Sequence, residues 1–320
     1  MILITGVAGF IGFHLADKLL SQNINMIGID NLNDYYDVKL KKDRLKNLRS
    51  RYKKKFNFLK VDILNEKKLE KIFKKYKIKK VIHLAAQAGV RYSIYKPSVY
   101  LDSNINGFFN ILDISKRNKV KHFIFSSSSS VYGDQKIYPI KETEESSKPL
   151  SFYAATKKTN EVLSYSYSKI HKLPISCLRL FTVYGPFGRP DMAPYKFTKA
   201  AFENKKIDVY NNGKHERDFT YVVDVANSIF KMIKKTPKKN FYQTVNVCSS
   251  KTIKLMNFIK IIENYTGKVI TKKFVMKQKG DVVKTYGSNN QLKRLTNIKR
   301  FTPVKIGMKK FIDWYVKYHV

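Results

Sequence analysis

The chain has few cysteines and lacks long hydrophobic runs. Two cysteines, Cys177 and Cys248, occur among 320 residues, each in an apolar segment that is predicted to be a buried strand. A disulfide framework is therefore not expected, and a reducing cytoplasmic location fits. Every apolar run is shorter than the roughly 18 residues of a membrane-spanning helix, so we predict no membrane partner. The apolar start, Met1 to Ile4, has no basic flank and predicts a first strand rather than a signal peptide.

Acidic residues are also scarce. The chain has 24 of them against 63 lysines and arginines, which gives a net charge of +39. Such an excess can indicate nucleic-acid binding. Here the lysines are scattered through every segment, without an arginine-rich stripe or a basic tail, which favours biased composition and no nucleic-acid partner. Salt-dependent retention of RNA or DNA would revive the alternative. The charge should raise the local concentration of an anionic substrate.

Clustered metal ligands are a third feature that the sequence lacks. The six histidines are dispersed, at positions 14, 83, 122, 171, 215 and 319. No pair of them has a ligand spacing beside a group of carboxylates, so we predict no metal site.

What the sequence does have, over its first two-thirds, is an alternation of strand and helix patterns. The predicted strands are Met1–Thr5, Met26–Asp30, Phe56–Asp62, Lys80–Leu84, His122–Ser126 and Ile175–Leu180, and the predicted helices include Gly12–Ser21, Leu64–Tyr76 and Ser103–Arg117. This order predicts an α/β fold, a parallel sheet covered by helices on both faces. The basic segment Lys39–Lys55 is expected to be a solvated helix and loop. Past Gly185 the alternation loosens.

The domain prediction follows from that change. We expect residues 1–180 to form a nucleotide-binding domain, with returns near 219–250 that include Tyr221–Lys234 and Thr244–Val247. Residues 181–320 are expected to form mainly a smaller, substrate-binding domain. A chain of this length can bury both cores.

A glycine-rich loop lies directly between the first strand and the first helix. Gly6, Gly9 and Gly12, with Phe10 and Ile11 between them, have the spacing G-x-x-G-x-x-G. Small residues allow a tight turn and let a pyrophosphate approach the helix N-terminus. Asp30 ends the second strand, where an acid can accept hydrogen bonds from both ribose hydroxyls and would repel a 2′-phosphate. The pattern therefore predicts NAD rather than NADP as cofactor.

A tyrosine and a lysine stand four residues apart on a predicted helix. Tyr153 and Lys157 therefore share one face. A fixed cation favours the phenolate and should lower the tyrosine pKa, which makes Tyr153 a candidate base. Upstream, the serine run Ser126–Ser130 follows a predicted strand, at the edge where doubly wound sheets bind ligands.

Loop, serine and Tyr-x-x-x-Lys, in that order, resemble the extended branch of the short-chain dehydrogenase/reductase superfamily. The block Leu178–Pro194, LRLFTVYGPFGRPDMAP, is similar to the signature of UDP-glucuronate 4-epimerases. Further matching segments are Asn33–Val38, Ala88–Tyr92, Gly213–Tyr221, Gly280–Val282 and Thr285–Tyr286. The resemblance covers about residues 1 to 315. Lys279 and Ser288 depart from it, where a proline and an aspartate are usual, and put substrate affinity rather than chemistry in doubt.

The resemblance implies a doubly wound Rossmann sheet with a smaller C-terminal substrate-binding domain, and assigns roles to residues. Ser128, Tyr153 and Lys157 would be catalytic, with Tyr153 as base and Lys157 on the nicotinamide ribose. The implied NAD contacts are Gly6, Gly9, Phe10, Ile11, Gly12, Asp30, Asp62, Ile63, Leu84, Ala85, Ala86, Asn104, Ser126, Tyr153 and Lys157. The implied UDP-sugar contacts are Arg91, Ser128, Ser129, Ser130, Thr182, Arg189, Arg217, Gln278 and Asp281. Arg189 would meet the sugar carboxylate, and Arg217 the diphosphate.

Several alternatives remain open. A 4-epimerase for neutral UDP-hexoses or their N-acetyl forms would share most of these residues. A dehydratase or decarboxylase of the same fold is disfavoured, because dehydratases carry acids beside the catalytic hydroxyl where this chain has Ser129 and Ser130. The resemblance also implies a homodimer, formed by helices near Ser103–Arg117 and Tyr153–Ile170.

Overall fold

The computed structural model describes residues 1–238, 240–278 and 280–320. In chain order its strands are β1 (Ile2–Thr5), β2 (Met26–Asp30), β3 (Phe56–Lys60), β4 (Lys80–His83), β5 (His122–Ser128), β6 (Ile175–Leu180), β7 (Thr182–Tyr184), β8 (Ile207–Tyr210), β9 (Glu216–Tyr221), β10 (Tyr242–Val247), β11 (Thr252–Lys254) and β12 (Lys272–Val275). Its α-helices are α1 (Phe10–Ser21), α2 (Val38–Tyr52), α3 (Glu66–Tyr76), α4 (Tyr92–Tyr95), α5 (Pro97–Tyr100), α6 (Gly107–Arg117), α7 (Phe152–His171), α8 (Ala193–Phe202), α9 (Val222–Lys234), α10 (Leu255–Thr266), α11 (Asn290–Thr296) and α12 (Val304–His319). A π-helical stretch, Leu101–Asn106, joins α5 to α6.

The central sheet has seven strands in the order β10-β6-β5-β4-β1-β2-β3, and all its neighbours pair in parallel. The chain runs outward from β1 to β3, then returns to place β4 on the other side of β1. The strand order therefore reverses between β1 and β4, and ligands bind outside the carboxyl ends of such strands. The predicted α/β doubly wound fold is confirmed.

Apolar side chains fill both faces of this sheet. On one face, Leu15 and Leu19 of α1 pack in the same cluster as Val225 and Ile229 of α9. On the other face, α3 and α6 supply Phe73 and further apolar residues. Burying one such side chain stabilises the fold by about 1.5–3 kcal/mol. The inner strands β1, β4 and β5 are almost wholly buried because both of their faces are covered.

The basic segment after β2 differs from its prediction. Lys39–Lys55 was expected to be solvated, yet α2 buries Lys41 and Arg44. Leucines at helical spacing turn one face of α2 towards the core. Arg44 lies on the same face, where hydrogen-bond acceptors are available to its guanidinium. Its guanidinium donates to the carbonyls of Ala8 (2.9 Å) and Phe187 (2.6 Å). A buried arginine thus ties the glycine-rich loop to the segment after β7.

The end of β5 also differs. The strand was expected to stop at Ser126, but it continues through Ser128. Ser126, Ser127 and Ser128 pair in register with residues 178 to 180 of β6. The ladder supplies the hydrogen bonds that serines otherwise seek in turns. The serine side chains are therefore fixed by sheet geometry.

Residues beyond 181 build smaller sheets, β11-β9-β7 and β12-β8, over a core of their own. Phe219 and Phe258 stack there with ring centroids 4.4 Å apart. In contrast, α9 packs on α1, and β10 joins the edge of the central sheet beside β6. The division into domains at residue 180 stays a prediction. Among the described ranges, no helix combines the length and apolarity that crossing a membrane requires.

Candidate active site

A cavity of about 1120 Å³ opens at the carboxyl ends of the central strands. Its one side, the sheet-side wall, consists of the loops after β1, β2, β4 and β5 together with the start of α7. The other side, the opposite wall, consists of residues from β7, from α8 and the segment 189–192 before it, from β9 and from the segment 280–285. The space is large enough for a dinucleotide and a nucleotide sugar, since pockets for single drug-sized ligands measure about 300–1,000 Å³.

The glycine-rich loop packs too closely for side chains. Gly6 has a φ of +72°, and a Cβ there would lie 2.7 Å from the Ala85 nitrogen. A Cβ on Gly12 would lie 2.1 Å from the Gly6 carbonyl oxygen. The loop therefore stays thin where α1 begins, and the free N–H groups of that helix end can face a phosphate.

Asp30 stands at the end of β2 and lines the cavity. Its carboxylate accepts hydrogen bonds from the main-chain nitrogens of Ala8 (3.1 Å) and Leu32 (2.8 Å). Burial raises the pKa of Asp30, and these two donors oppose that change. The charges of Lys41 and Arg44 act in the same direction as the two donors, and the main-chain groups orient the acid.

Helix α7 carries Tyr153 and Lys157 into the cavity. Ser151 caps its start by accepting a hydrogen bond from the Ala154 nitrogen (3.1 Å). The Lys157 Nζ donates to the Ser126 carbonyl oxygen at 2.8 Å, and burial lowers the pKa of Lys157 to about 8. Lys157 is therefore a buried cation bonded to a carbonyl.

The Tyr153 pKa differs from the sequence-based expectation of a lowered value. Burial raises it, and the opposing influences come from the Ser128 hydroxyl and the charge of Arg189. Burial is the largest of these influences, and it prevails over both. The tyrosine ring also packs edge-on against Tyr100, with centroids 6.1 Å apart.

The serines after β5 form a compact hydroxyl cluster. The Ser128 Oγ accepts from the Ser130 nitrogen and donates to the Ser130 Oγ, both at 3.1 Å. A 3₁₀ turn, Ser129–Tyr132, follows at once. Ser128, Ser129 and Ser130 all line the cavity. The wall next to Ser128 thus presents hydroxyls where a dehydratase needs carboxyl groups.

A buried ion pair supports this cluster from behind, and sequence reasoning did not identify it. Glu161 accepts a hydrogen bond from the Ser127 Oγ (2.6 Å) and a two-pronged bond from Arg179 (2.9 and 2.8 Å). Glu161 lies one helical turn after Lys157, on the face that carries the tyrosine–lysine pair. That spacing was a signal available in the sequence.

The opposite wall holds its charges in pairs. Arg189 donates to Asp191 from Nε (3.0 Å) and from Nη2 (2.6 Å), and the Tyr35 hydroxyl donates to the same carboxylate (3.1 Å). Thr182 lines the cavity as well. Sequence reasoning missed Tyr35 and Asp191, although both lie inside segments that carry the family resemblance.

A second group of charges lies further along the opposite wall. Arg217 donates to Asp281 at 3.0 Å, and Arg91 and His215 approach the same carboxylate at 3.9 and 3.5 Å. Burial lowers the pKa of Arg217, with Asp281 acting in the opposite direction. Arg91, Arg217 and Asp281, which were predicted separately, thus form one cluster.

The structure brings most of the predicted site residues together. The cavity is lined by Gly6, Gly9, Phe10, Ile11, Gly12, Asp30, Ile63, Leu84, Ala85, Ala86, Arg91, Ser126, Ser128, Ser129, Ser130, Tyr153, Lys157, Thr182, Arg189, Arg217 and Asp281. Their roles stay predictions.

Three predicted residues are not part of the lining: Asp62, Asn104 and Gln278. Asp62 bonds to Asn31, and Asn104 is buried behind the site, where its amide bonds to the Gln87 backbone and to Thr156. Of the two departures from the family pattern, Ser288 is buried outside the lining, and Lys279 lies outside the described residues. In the ranges that the structure describes, no group of three or more His, Cys, Asp or Glu side chains could hold a metal.

Comparison with known proteins agrees with the nucleotide-binding geometry of the cavity. Residues 3–320 match the sequence profile of the family described as GDP-mannose 4,6 dehydratase. The chain belongs to this family of extended short-chain dehydrogenases/reductases. The family includes several nucleotide-sugar chemistries, so membership leaves the reaction to be argued from the cavity.

Individual relatives are similar along their whole length. A UDP-glucuronate 4-epimerase of Thermodesulfobacterium geofontis is 41% identical, with 98% of this chain and 95% of the relative covered. Protein CapI of Staphylococcus aureus is 46% identical, with 99% of each covered. The crystal structure of UDP-glucuronic acid 4-epimerase from Bacillus cereus, in complex with UDP-glucuronic acid and NAD, is 31% identical and superposes with a TM-score of 0.93 over 99% of each chain.

Proposed function

We propose that the protein is an NAD-dependent 4-epimerase that converts UDP-glucuronate to UDP-galacturonate through a 4-keto sugar. One observation carries the proposal. A single cavity combines a nucleotide loop, the Tyr153–Lys157 pair and a partly buried arginine, Arg189, with only hydroxyls beside Ser128. The similarity to UDP-glucuronate 4-epimerases supports it. In this proposal the substrate contacts come mainly from residues 181–320.

The residues present fit NAD. Gly6 and Gly12 leave room for a pyrophosphate against α1, and Asp30 offers carboxylate oxygens at the end of β2, where a ribose would lie. Lys157 would donate to the nicotinamide ribose from the floor of the cavity. When bound, NAD accepts a hydride from the sugar C4 and returns it.

The proton chemistry belongs to the protein. Tyr153 must be a phenolate to act as the base, and the Ser128 hydroxyl and the charge of Arg189 favour that form against the burial that raises its pKa. As phenolate, Tyr153 accepts the proton of the C4 hydroxyl as C4 becomes a ketone, and Ser128 holds the same oxygen by a hydrogen bond. After the sugar turns over, Tyr153 returns the proton as C4 is reduced from the opposite face. The oxidation of C4 and its later reduction cancel, so no net oxidation occurs. The protein contributes position and electrostatics to a cycle that regenerates its cofactor.

The sugar acid places a further demand on the site. Once C4 is a ketone, the C5 carboxylate makes the sugar a β-keto acid, which loses carbon dioxide when its C5–C6 bond aligns with the carbonyl π-system. The site must hold the carboxylate away from that alignment. Arg189 is the charged anchor in this proposal, and Thr182, Ser129 and Ser130 are the hydroxyl anchors.

The nearest alternative is a 4-epimerase for neutral UDP-hexoses or their N-acetyl forms, which would share the sheet-side wall. The positive charge of the partly buried Arg189 favours an acidic sugar over one with a hydroxymethyl group. A dehydratase is disfavoured because the positions next to Ser128 are serines.

The test is to incubate the purified protein with UDP-glucuronate and to separate the UDP-sugars by chromatography. UDP-galacturonate should appear without added reductant, and no reduced nicotinamide should accumulate. A panel of UDP-glucose and UDP-N-acetylglucosamine gives the specificity. Preferential conversion of a neutral sugar would replace the proposal with its nearest alternative, and stoichiometric NADH would indicate a dehydrogenase.

We further propose a cytoplasmic homodimer that supplies activated sugar acids for polysaccharide biosynthesis. The π-helical stretch before α6 and helix α7 expose Leu101, Val162 and Tyr165. Two copies of these helices would cover them in a four-helix contact with twofold symmetry. Light scattering should give twice the chain mass at micromolar concentration, and a stable 37.4 kDa species would contradict the dimer.

A further inference from the structure

The guanidinium of Arg189 is held by a carboxylate that belongs to the protein. Asp191 accepts from Nε at 3.0 Å and from Nη2 at 2.6 Å, a fork that fixes the plane of the guanidinium. Within the described parts of the chain, Nη1 makes no hydrogen bond, so it is available to a ligand in the cavity. The pKa of Asp191 lies below its usual value, because the charge of Arg189 outweighs the opposite effect of burial. The carboxylate therefore stays ionised.

Tyr35 holds the other end of this arrangement. Its hydroxyl donates to the Asp191 Oδ2 at 3.1 Å, and its ring packs against Tyr92 with centroids 5.0 Å apart. Gly89 makes room for it, because a Cβ at that position would lie 2.3 Å from the Tyr35 hydroxyl. Tyr35 belongs to the loop that follows Asp30. The loop on the cofactor side therefore reaches across to orient a charge on the opposite wall.

The pairing also has an electrostatic cost. Asp191 neutralises Arg189, which weakens the attraction for an anionic sugar, so tight binding cannot be the purpose of the pair. What the pair supplies is orientation. A free arginine samples many rotamers, whereas a planar fork bonded on two atoms retains little freedom. The site needs a fixed orientation because one rotamer of the sugar carboxylate leads to loss of carbon dioxide.

We propose that Asp191 and Tyr35 are positioning residues that act through Arg189: they fix its guanidinium so that the sugar carboxylate stays out of alignment with the C4 carbonyl. This inference rests on the proposed function. In the failure that they prevent, the C5–C6 bond breaks and carbon dioxide leaves. The electron pair forms an enolate across C4 and C5, which takes a proton at C5. Return of the hydride to C4 then gives a UDP-pentose, with no net change in the cofactor.

The test compares products as well as rates. Asp191→Asn keeps the size of the side chain and one acceptor oxygen but loses the charge and half of the fork. We expect kcat for epimerisation to fall about tenfold, the effect of one charge-assisted hydrogen bond, with KM unchanged or lower because Arg189 loses its counter-ion. A UDP-pentose and carbon dioxide should appear. Tyr35→Phe, which removes only a hydroxyl, should act in the same direction by about threefold.

The chain offers a matched control. Asp17 accepts hydrogen bonds from Arg51 and, at 2.8 Å, from the Tyr52 hydroxyl, and it lies outside the cavity lining. The Asp17 and Asp191 side chains are each 28% exposed. Asp17→Asn and Tyr52→Phe therefore remove the same chemistry elsewhere, and should leave kcat and the product ratio unchanged.

A double-mutant cycle tests action through Arg189. Asp191→Asn should add little to Arg189→Ala, because the residue through which it acts is already gone. Full additivity would overturn the proposal, and so would an Asp191→Asn enzyme with the kcat and products of the wild type. If Asp191→Asn does not fold, Tyr35→Phe decides, and its failure to produce a pentose overturns the proposal. A wild-type enzyme that ignores UDP-glucuronate but epimerises a neutral UDP-hexose would refute the proposed function first, and this inference with it.

Discussion

The two walls of the cavity hold their charges in opposite ways. On the sheet-side wall, Lys157 is buried against a main-chain carbonyl, and no salt bridge to it occurs in the described residues. On the opposite wall, Arg189 is paired with Asp191 and Arg217 with Asp281. Burial lowers the pKa of Lys157 to about 8. For Arg189, the lowering effect of burial is outweighed by Asp191, so its pKa lies above the usual value.

The difference shows how one cavity can serve two purposes. A group that takes part in proton chemistry benefits from burial without a counter-ion, because its protonation then responds to the cofactor and the substrate. A group that must orient a ligand benefits from a fixed counter-ion, because its charge and its plane stay constant. We therefore expect substitutions on the sheet-side wall to change rate and pH dependence, and those on the opposite wall to change fidelity.

The largest expected effect concerns Tyr153. Tyr153→Phe keeps the ring and its contact with Tyr100 but removes the proton acceptor. Turnover should fall about 100- to 10,000-fold while NAD stays bound, since general acid–base groups contribute in that range. Tyr165→Phe, on an exposed turn of the same helix, is the control. A Tyr153→Phe enzyme with more than about a tenth of wild-type turnover would remove Tyr153 from the role of base.

The next effect is on stability and isolates the unpaired lysine. The folded-state pKa of Lys157 is about 8, below the 10.5 that is usual for a lysine, so the folded protein binds fewer protons than the unfolded chain between those two pH values. Stability should therefore rise with pH across this window. Relative to Lys157→Met, the gain should approach roughly 3 kcal/mol between about pH 7.5 and about pH 10.5 in protein stripped of nucleotide.

Chemical denaturation at several pH values measures that difference. Lys158→Met removes a neighbouring lysine whose side chain is 29% exposed, and it controls for the loss of one charge. If the wild-type and Lys157→Met proteins show parallel stability curves across the window, Lys157 keeps its ordinary affinity for protons. The contrast between the two walls would then be wrong.

The third effect concerns the paired wall. Arg189→Ala removes the charged anchor, and losing a charge-assisted hydrogen bond costs roughly 1.5–3 kcal/mol. Epimerisation of UDP-glucuronate should slow about tenfold to a hundredfold, and carbon dioxide should be released with a UDP-pentose. Arg51→Ala, which breaks a surface pair with Asp17, is the matched control. If the variant epimerises UDP-glucuronate normally and yields no UDP-pentose, Arg189 does not bind the sugar carboxylate and is an arginine of the loop without a role in the reaction.

The same two walls differ in how well the sequence predicted them. The central sheet was predictable because short, mainly apolar segments such as β1, β2 and β6 alternate with helical patterns along the chain. The glycine spacing and the i,i+4 relation of Tyr153 and Lys157 are local, so they too were visible in the sequence. Local patterns could not show that side chains of the charged segment Lys39–Lys55 would be buried. Arg44 was missed because its partners, such as Phe187, are far away in the chain.

The opposite wall depends on contacts between distant segments, and the sequence alone gave little warning of them. Asp191 lies two residues from Arg189, yet nothing local shows that it is bonded to Tyr35. The sheet side has one such contact too: the spacing of Glu161 from Lys157 was visible in the sequence, but only the fold shows that Arg179 meets Glu161 under Ser127. The Tyr153 pKa was mispredicted for a related reason, since the burial that raises it is a property of the assembled site.

The smallest expected effect separates two acids at the ends of neighbouring strands. Asp30 lines the cavity, whereas Asp62 does not, and both carboxylates already accept hydrogen bonds from the protein. Asp30→Asn should weaken NAD binding about tenfold, because an amide cannot accept hydrogen bonds from both ribose hydroxyls. It should also reduce the preference for NAD over NADP. Asp62→Asn should weaken NAD binding by less than about threefold, because its carboxylate binds Asn31 and the Leu64 nitrogen instead. Calorimetric titration of both variants with NAD and NADP measures this ratio. Equal losses would mean that Asp62 also contacts the cofactor, and that the sheet-side wall extends to β3 when NAD is bound.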